Sequence, residues 1–122
     1  MIAQAHSRSH ALLLAHLNPV QKTDFLRHGK FMVLGQARKH RPRRIYVLDR
    51  AGVSEIEPVG EDQTCWWMVD YRIGDCFYEV LDDFCVVDGG HDGPLPHYDL
   101  LLIWKLMIET DERRFRRIGH SA

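Results

Sequence analysis

The stretch "NPVQKTDFLRHGKFMVLG", residues 18–35, contains both ends of a helix and the start of a strand. Asn18 is a favourable N-cap, and Pro19 suits the first helical position because an N–H there would have no helical partner. Gly29 can adopt the left-handed conformation that ends many helices. We therefore predict a helix over residues 19–28 that leads directly into a strand.

The residues before this stretch predict another helix, over residues 4–17, so that the chain opens with a helical hairpin. Its spacing of apolar residues is that of a helix with one buried face. For residues 4–17 the predicted inward side chains are Ala11, Leu12, Leu14, Ala15 and Leu17, and for residues 19–28 they are Val20, Thr23 and Phe25.

After residue 29 the pattern changes to short runs of β-branched and aromatic residues, which are typical of strands. Brief turns separate these runs, so we expect a mainly antiparallel sheet of five or six strands. The predicted strands are residues 30–36, 44–49, 53–59, 64–71, 75–80 and 84–87.

The last third of the chain predicts helices again. Residues 97–108 are apolar almost all round, which predicts a helix buried on most sides. Thr110 is predicted to cap a short final helix. The sequence thus predicts one α+β domain, residues 1–122, with its helices packed on one face of a sheet.

Composition agrees with an ordinary globular domain, at 122 residues, 45% hydrophobic and 27% charged. The longest apolar run, residues 100–108, is interrupted by Lys105 and is well short of the roughly 20 residues that a membrane span needs. The first residues lack the pattern of a secretory signal. We therefore expect a cytoplasmic protein with no membrane association.

Two motifs at the ends of the chain resemble those of a small uncharacterised domain type of bacterial and phage genomes. The first is "LNPVQ" at residues 17–21 with "GKFMVLG" at residues 29–35, and the second is "PHYD" at residues 96–99 with "KLMIETDE" at residues 105–112. The resemblance implies a recurring fold and a phage or mobile-element origin. It implies no activity, ligand or catalytic residue.

Charge is unevenly distributed along the chain. Residues 1–50 contain ten of the 16 Lys and Arg residues, five of them within residues 38–44, and only two of the 17 Asp and Glu residues. Clustered cations of this kind bind phosphate backbones or acidic proteins, and in other proteins they lie at a solvated loop tip. Trp66 could add a stacking surface for bases. The candidate binding residues are Arg38, Lys39, Arg41, Arg43, Arg44 and Trp66.

Residues 51–112 have the opposite character, with fifteen carboxylates and two basic residues. Such a block can form a surface that imitates the phosphate array of a nucleic acid. A phage inhibitor of a host protein's basic channel would have this property, so the acidic block is an alternative functional surface.

Metal binding and catalysis are two further hypotheses for the polar residues. Structural zinc sites usually contain a Cys-x2–4-Cys pair, and the cysteines are farther apart, so we expect reduced, buried thiols and no metal. His6 and His10 share a helix face that we expect to be solvated. A carboxylate beside a histidine could form a general base, although no further catalytic motif accompanies them. The residues considered for a metal site are Cys65, Cys76, Cys85, His91 and His97. Those considered for a general base are Asp82, Asp83, Asp88, His91, Asp92, His97 and Asp99.

The function expected from the sequence is that of a small, non-catalytic accessory protein without a cofactor. It would engage a macromolecular partner, first of all a protein, through a charged surface. The alternatives are a nucleic-acid-binding module that uses the basic segment, and an acidic mimic of nucleic acid.

Overall fold

A computed structural model describes residues 2–50, 52–58, 78–84 and 97–120. The chain opens with helices α1, Ile2–Ala15, and α2, Pro19–His28. Strands β1, Phe31–Leu34, β2, Ile45–Asp49, β3, Gly52–Pro58, and β4, Tyr78–Phe84, follow, and helix α3, His97–His120, comes last. The predicted α+β class and the two opening helices are therefore confirmed.

Helix α2 has the ends that the sequence predicts. The Asn18 side chain accepts a hydrogen bond from the Gln21 N–H at 2.8 Å, and the Gln21 side chain accepts one from the Asn18 N–H at 3.1 Å. This reciprocal capping box satisfies two of the free N–H groups of the first turn. At the other end Gly29 adopts φ 74°, and its N–H donates to the Phe25 carbonyl. Of its predicted inward residues, Phe25 is buried and Thr23 is exposed.

The predicted apolar stripe of α1 is correct in part, because Leu14 packs against the core as predicted, whereas Ala11, Leu12 and Ala15 are exposed. Leu13 is fully buried and Ser9 is buried, whereas Leu12 is 49% exposed. The run "ALLLA" at residues 11–15 offers several overlapping stripes, and only the packing of α1 against α3 selects one of them. Leu17 lies inside the core as predicted.

The four strands of the described residues form one antiparallel sheet in the order β1-β2-β3-β4. The prediction of five or six strands therefore exceeds the four found there. Two predicted strands, 75–80 and 84–87, overlap the single strand β4, and residues 64–71 lie outside the described residues. A β-bulge lies opposite Glu55 and Ile56, because Asp82 pairs with Glu55 and Val80 with Ile56, leaving Leu81 as the extra residue.

The main core lies between the sheet and the helices. Aromatic rings pack edge-on or tilted in it, with the Phe25 and Phe31 centroids 5.7 Å apart and those of Tyr46 and Phe115 5.8 Å apart. A second cluster of buried side chains, Met32, Ile45, Val47 and Ile56, lies in the alternate strand positions. Both faces of the sheet are therefore buried at its centre.

Helix α3 is buried on most sides over its apolar part, as predicted. Leu101, Trp104 and Ile108 are buried, whereas Ile103 and Leu106 are 43% and 40% exposed. The helix packs on the sheet and on α1, and within residues 98–108 only Ile103 and Leu106 are exposed.

A kink divides α3 at Asp111, whose φ of −154° and ψ of 65° are not helical. The predicted change from one helical segment to a second is thus present, but the two segments meet directly. Asp111 caps the second segment, since its Oδ1 accepts from the Arg114 N–H at 3.4 Å. Thr110, the predicted cap, instead donates its hydroxyl to the Leu106 carbonyl at 2.7 Å.

Candidate functional site: a basic ribbon and its anchor

The basic segment of the sequence forms the outer end of the β1–β2 hairpin. Leu34 pairs with Ile45, and the Gly35 N–H donates to the Arg44 carbonyl at 2.7 Å, which continues the ladder. Farther out, Arg38 and Arg41 form an antiparallel bridge in the same register. Residues 35–44, named the basic ribbon here, are therefore an extension of two paired strands.

The turn at the tip of the basic ribbon contains two residues, Lys39 and His40. His40 adopts φ 66°, whereas Lys39 does not have a positive φ. A left-handed third residue is the pattern of a type II turn. Arg38 braces the ribbon across its width, because its Nε and Nη2 both donate to the Pro42 carbonyl, at 2.9 and 2.6 Å. Pro42 cannot donate to the ladder, so this side-chain contact strengthens the pairing where backbone bonds are fewest.

The predicted binding residues divide into four groups. Lys39, Arg41 and Arg43 are exposed. Within the described part of the chain no hydrogen bond or ion pair involves the side chain of Lys39 or of Arg41, and Arg43 uses one of its five side-chain N–H donors on the Gly35 carbonyl at 2.8 Å. Arg38 is the partly buried brace. Trp66 lies outside the described residues.

Arg44, the fifth cation of the segment, belongs to an inner cluster. Its Nε lies 3.7 Å from Glu55 Oε2, and its Nη1 lies 3.8 Å from Glu112 Oε2. Arg116 donates through Nη1 to Glu55 Oε1 at 2.7 Å and to the Tyr46 hydroxyl at 3.0 Å. Two cations and two carboxylates thus balance each other at the base of the ribbon.

Glu112 is the centre of this inner cluster and is only 4% exposed. Its Oε1 accepts from the Gln36 backbone N–H at 2.8 Å, and its Oε2 accepts from the Tyr46 hydroxyl at 2.5 Å. Burial raises the pKa of Tyr46, and the hydrogen bond to Glu112 raises it further. Tyr46 therefore stays a neutral donor to the carboxylate.

Arg116 keeps its charge in this setting. Burial by itself lowers the pKa of Arg116, but its hydrogen bonds to Tyr46 and Glu55 outweigh that effect and raise it. Its guanidinium also lies over the Phe84 ring, 5.2 Å from the ring centre, a cation–π contact. The cluster is hydrogen-bonded and its charges are balanced, so it serves as an anchor for the ribbon.

The two motifs that suggested a recurring domain type meet at this anchor. Gly35 ends the first motif and Glu112 ends the second, and a Cβ on Gly35 would overlap the Glu112 carboxylate. Glycine at position 35 therefore allows the helix and the ribbon base to approach closely. Sequence reasoning missed the anchor, since Tyr46, Glu55, Glu112 and Arg116 are far apart in the chain.

The remaining candidate sites involve histidines and cysteines. His10 is half-buried, with its ring centre 4.7 Å from that of Tyr98, so the expected solvated position for it is wrong. The three cysteines and His91 lie outside the described residues, and the expectation of metal-free thiols stays a prediction. In the part of the chain that the structure describes, no three His, Cys, Asp or Glu side chains could hold a metal ion together.

The acidic block contributes like charges to the β3–β4 pair. Glu57 lies directly opposite Glu79, and Glu55 lies opposite Asp82. Glu57 and Glu79 are exposed. Like charges directly opposite each other destabilise a sheet. Glu55 is paired with Arg44 and Arg116.

None of the helices within the described ranges has the length and apolar character that crossing a membrane requires. Comparisons of the chain with protein-family models, with curated proteins and with solved structures give no match.

Proposed function

We propose that this protein is a non-catalytic binding module that engages an anionic macromolecular partner through its basic ribbon. The observation that carries the proposal is the exposed tip, where the side chains of Lys39 and Arg41 have no hydrogen-bond or ion-pair partner within the described residues, while Arg38 braces the ribbon across its width and Arg44 is paired at its base. The tip cations are thus available, and the scaffold beneath them is fixed.

Pre-organisation supports this proposal. A solvated loop of seven residues would lose conformational entropy on binding, which weakens affinity. The basic ribbon is already paired through the bridge between Arg38 and Arg41 and is held at its base by Glu112. A partner therefore meets cations on an ordered support.

The proposal is tested by binding to heparin, a polyanion without sequence, with a matched pair of charge reversals. Lys39→Glu with Arg41→Glu reverses two tip cations, and Arg8→Glu with Lys22→Glu reverses two exposed helical cations elsewhere. Both variants change the net charge equally. The tip variant should lose at least about tenfold in affinity at low salt, since each lost phosphate or sulfate contact removes counterion release.

Equal loss in the two variants would show that net charge alone governs binding and would contradict the proposal. A wild-type chain that does not bind heparin at low salt would contradict it as well. Capture of partners from the native host, with and without nuclease, then separates a nucleic acid from an acidic protein.

The acidic surface supports a second candidate, an acidic mimic of nucleic acid encoded by a phage or mobile element. The observation that favours it is the exposed pair of Glu57 and Glu79 in facing positions. Replacing both with Gln should raise stability by relieving repulsion and should weaken binding to a basic channel. Unchanged binding to every captured basic partner would remove this candidate.

A further inference from the structure

The basic ribbon has the dimensions of an element that enters a nucleic-acid groove. From Gly35 to the bridge residue Arg38 it contains four residues in each strand, so at about 3.3 Å per residue it extends about 13 Å beyond β1. The major groove of B-form DNA is about 12 Å wide and about 8.5 Å deep and admits a two-stranded ribbon.

The composition of the ribbon separates a duplex from other anionic partners. Residues 35–44, "GQARKHRPRR", contain no Tyr, Trp, Phe, Leu, Ile or Met. Protein interfaces derive most of their affinity from a few Trp, Tyr and Arg side chains, and of these the ribbon supplies only Arg. Single strands are held mainly by stacking of bases on aromatic rings. The ribbon instead supplies cations on a paired backbone, and such cations can contact the phosphates that border a groove.

Two exposed cations lie along the strand segment that leads into β2. Arg41 and Arg43 are two residues apart, the period at which side chains of an extended strand share a face. Lys39 is at the turn. Three exposed cations thus surround the tip, whose other residues, His40 and Pro42, are exposed as well.

We infer that the basic ribbon inserts into the major groove of duplex DNA, with Lys39, Arg41 and Arg43 on the bordering phosphates. The inference rests on the proposed function and names the partner. RNA duplexes have a deep, narrow major groove that excludes such a ribbon. The protein should therefore prefer duplex DNA to an RNA duplex of the same sequence.

Fluorescence anisotropy of the full chain with short labelled probes tests this partner. The probes are a duplex DNA of mixed sequence, the corresponding RNA duplex and one single strand of the DNA. We expect the tightest binding to duplex DNA, with a log–log salt slope of about −0.9 for each of the phosphates that the tip neutralises. Lys39→Glu with Arg41→Glu should weaken DNA binding at least about tenfold and reduce the slope by about 2.

The charge-reversed helical pair, Arg8→Glu with Lys22→Glu, serves as the matched control and should keep most of the affinity and slope. If the reversed tip fails to fold, as judged by circular dichroism, Lys39→Gln with Arg41→Gln replaces it and should still reduce the slope by about 2. Equal or tighter binding to the RNA duplex or the single strand would overturn the groove. Heparin binding through the tip without DNA binding would overturn this inference while leaving the proposed function intact.

Discussion

Gln36 joins the two halves of α3 across the kink at Asp111. Its Nε2 donates to the Glu109 carbonyl at 3.3 Å, and its Oε1 accepts from the Glu112 N–H at 3.1 Å. One side-chain amide thus satisfies a carbonyl on one side of the kink and an N–H on the other. The Gln36 backbone N–H binds the Glu112 carboxylate as well. The base of the basic ribbon and the bend of the helix therefore stabilise each other.

Replacing Gln36 with Ala should destabilise the protein by about 1–3 kcal/mol, because partly buried groups at the kink lose their partner. Thr110→Ala, which removes one exposed side-chain hydrogen bond beside the kink, is the matched control and should change stability by no more than about 0.5 kcal/mol. Urea unfolding monitored by circular dichroism measures both. Equal effects would show that the amide has no special role at the kink.

Gly35→Ala should cost about 1–3 kcal/mol through overpacking, since the new methyl group would overlap the Glu112 carboxylate. Most of that cost should vanish in a Glu112→Ala background, where the carboxylate is absent. A double-mutant cycle of unfolding free energies measures the coupling. Additive effects would mean that the two residues do not interact in this way.

Stability should depend on Tyr46 at alkaline pH. Because the folded-state pKa of Tyr46 is raised, its contribution is complete below the unfolded value of about 10 and is lost as pH rises above it. In that range the loss is about 1.4 kcal/mol per pH unit. Urea unfolding of wild type and Tyr46→Phe between neutral and alkaline pH checks this, and the difference between them should shrink as pH rises. Parallel profiles would contradict it.

Leu101→Ala should cost about 2–5 kcal/mol, because Leu101 is fully buried in the main core. Leu106→Ala on the exposed face of the same helix is the control and should cost far less. The denaturant midpoints of the two variants measure the contrast. A small effect for Leu101 would contradict the placement of α3 against the sheet.

Charge reversal at the tip of the basic ribbon should leave the stability of the protein nearly unchanged. Lys39→Glu with Arg41→Glu should change stability by no more than about 0.5 kcal/mol, since both side chains are exposed. Arg44→Glu should cost several kcal/mol, because it would place a third carboxylate beside Glu55 and Glu112. Thermal unfolding of the two variants checks this contrast between tip and base.

Local signals in the sequence were sufficient for α2 and for the general order of elements. The cap at Asn18, the proline that follows it and the glycine at position 29 act through neighbouring backbone groups, so they need no tertiary contact to be read. The same holds for β1 to β3, whose runs of β-branched and aromatic residues are bounded by turns. The clustering of cations before Arg44 was also visible in the chain alone.

Only the tertiary structure decided which residues of these elements face the core and which cations are available. Leu12 and Leu13 fit the helical spacing of apolar residues equally well. The packing of α1 on α3 buries Leu13 and leaves Leu12 exposed. Arg41 and Arg44 are equivalent as cations in the sequence. In the fold, Arg44 forms ion pairs with Glu55 and Glu112, which are distant from it in the chain. Such contacts depend on where distant segments meet, which no local period encodes.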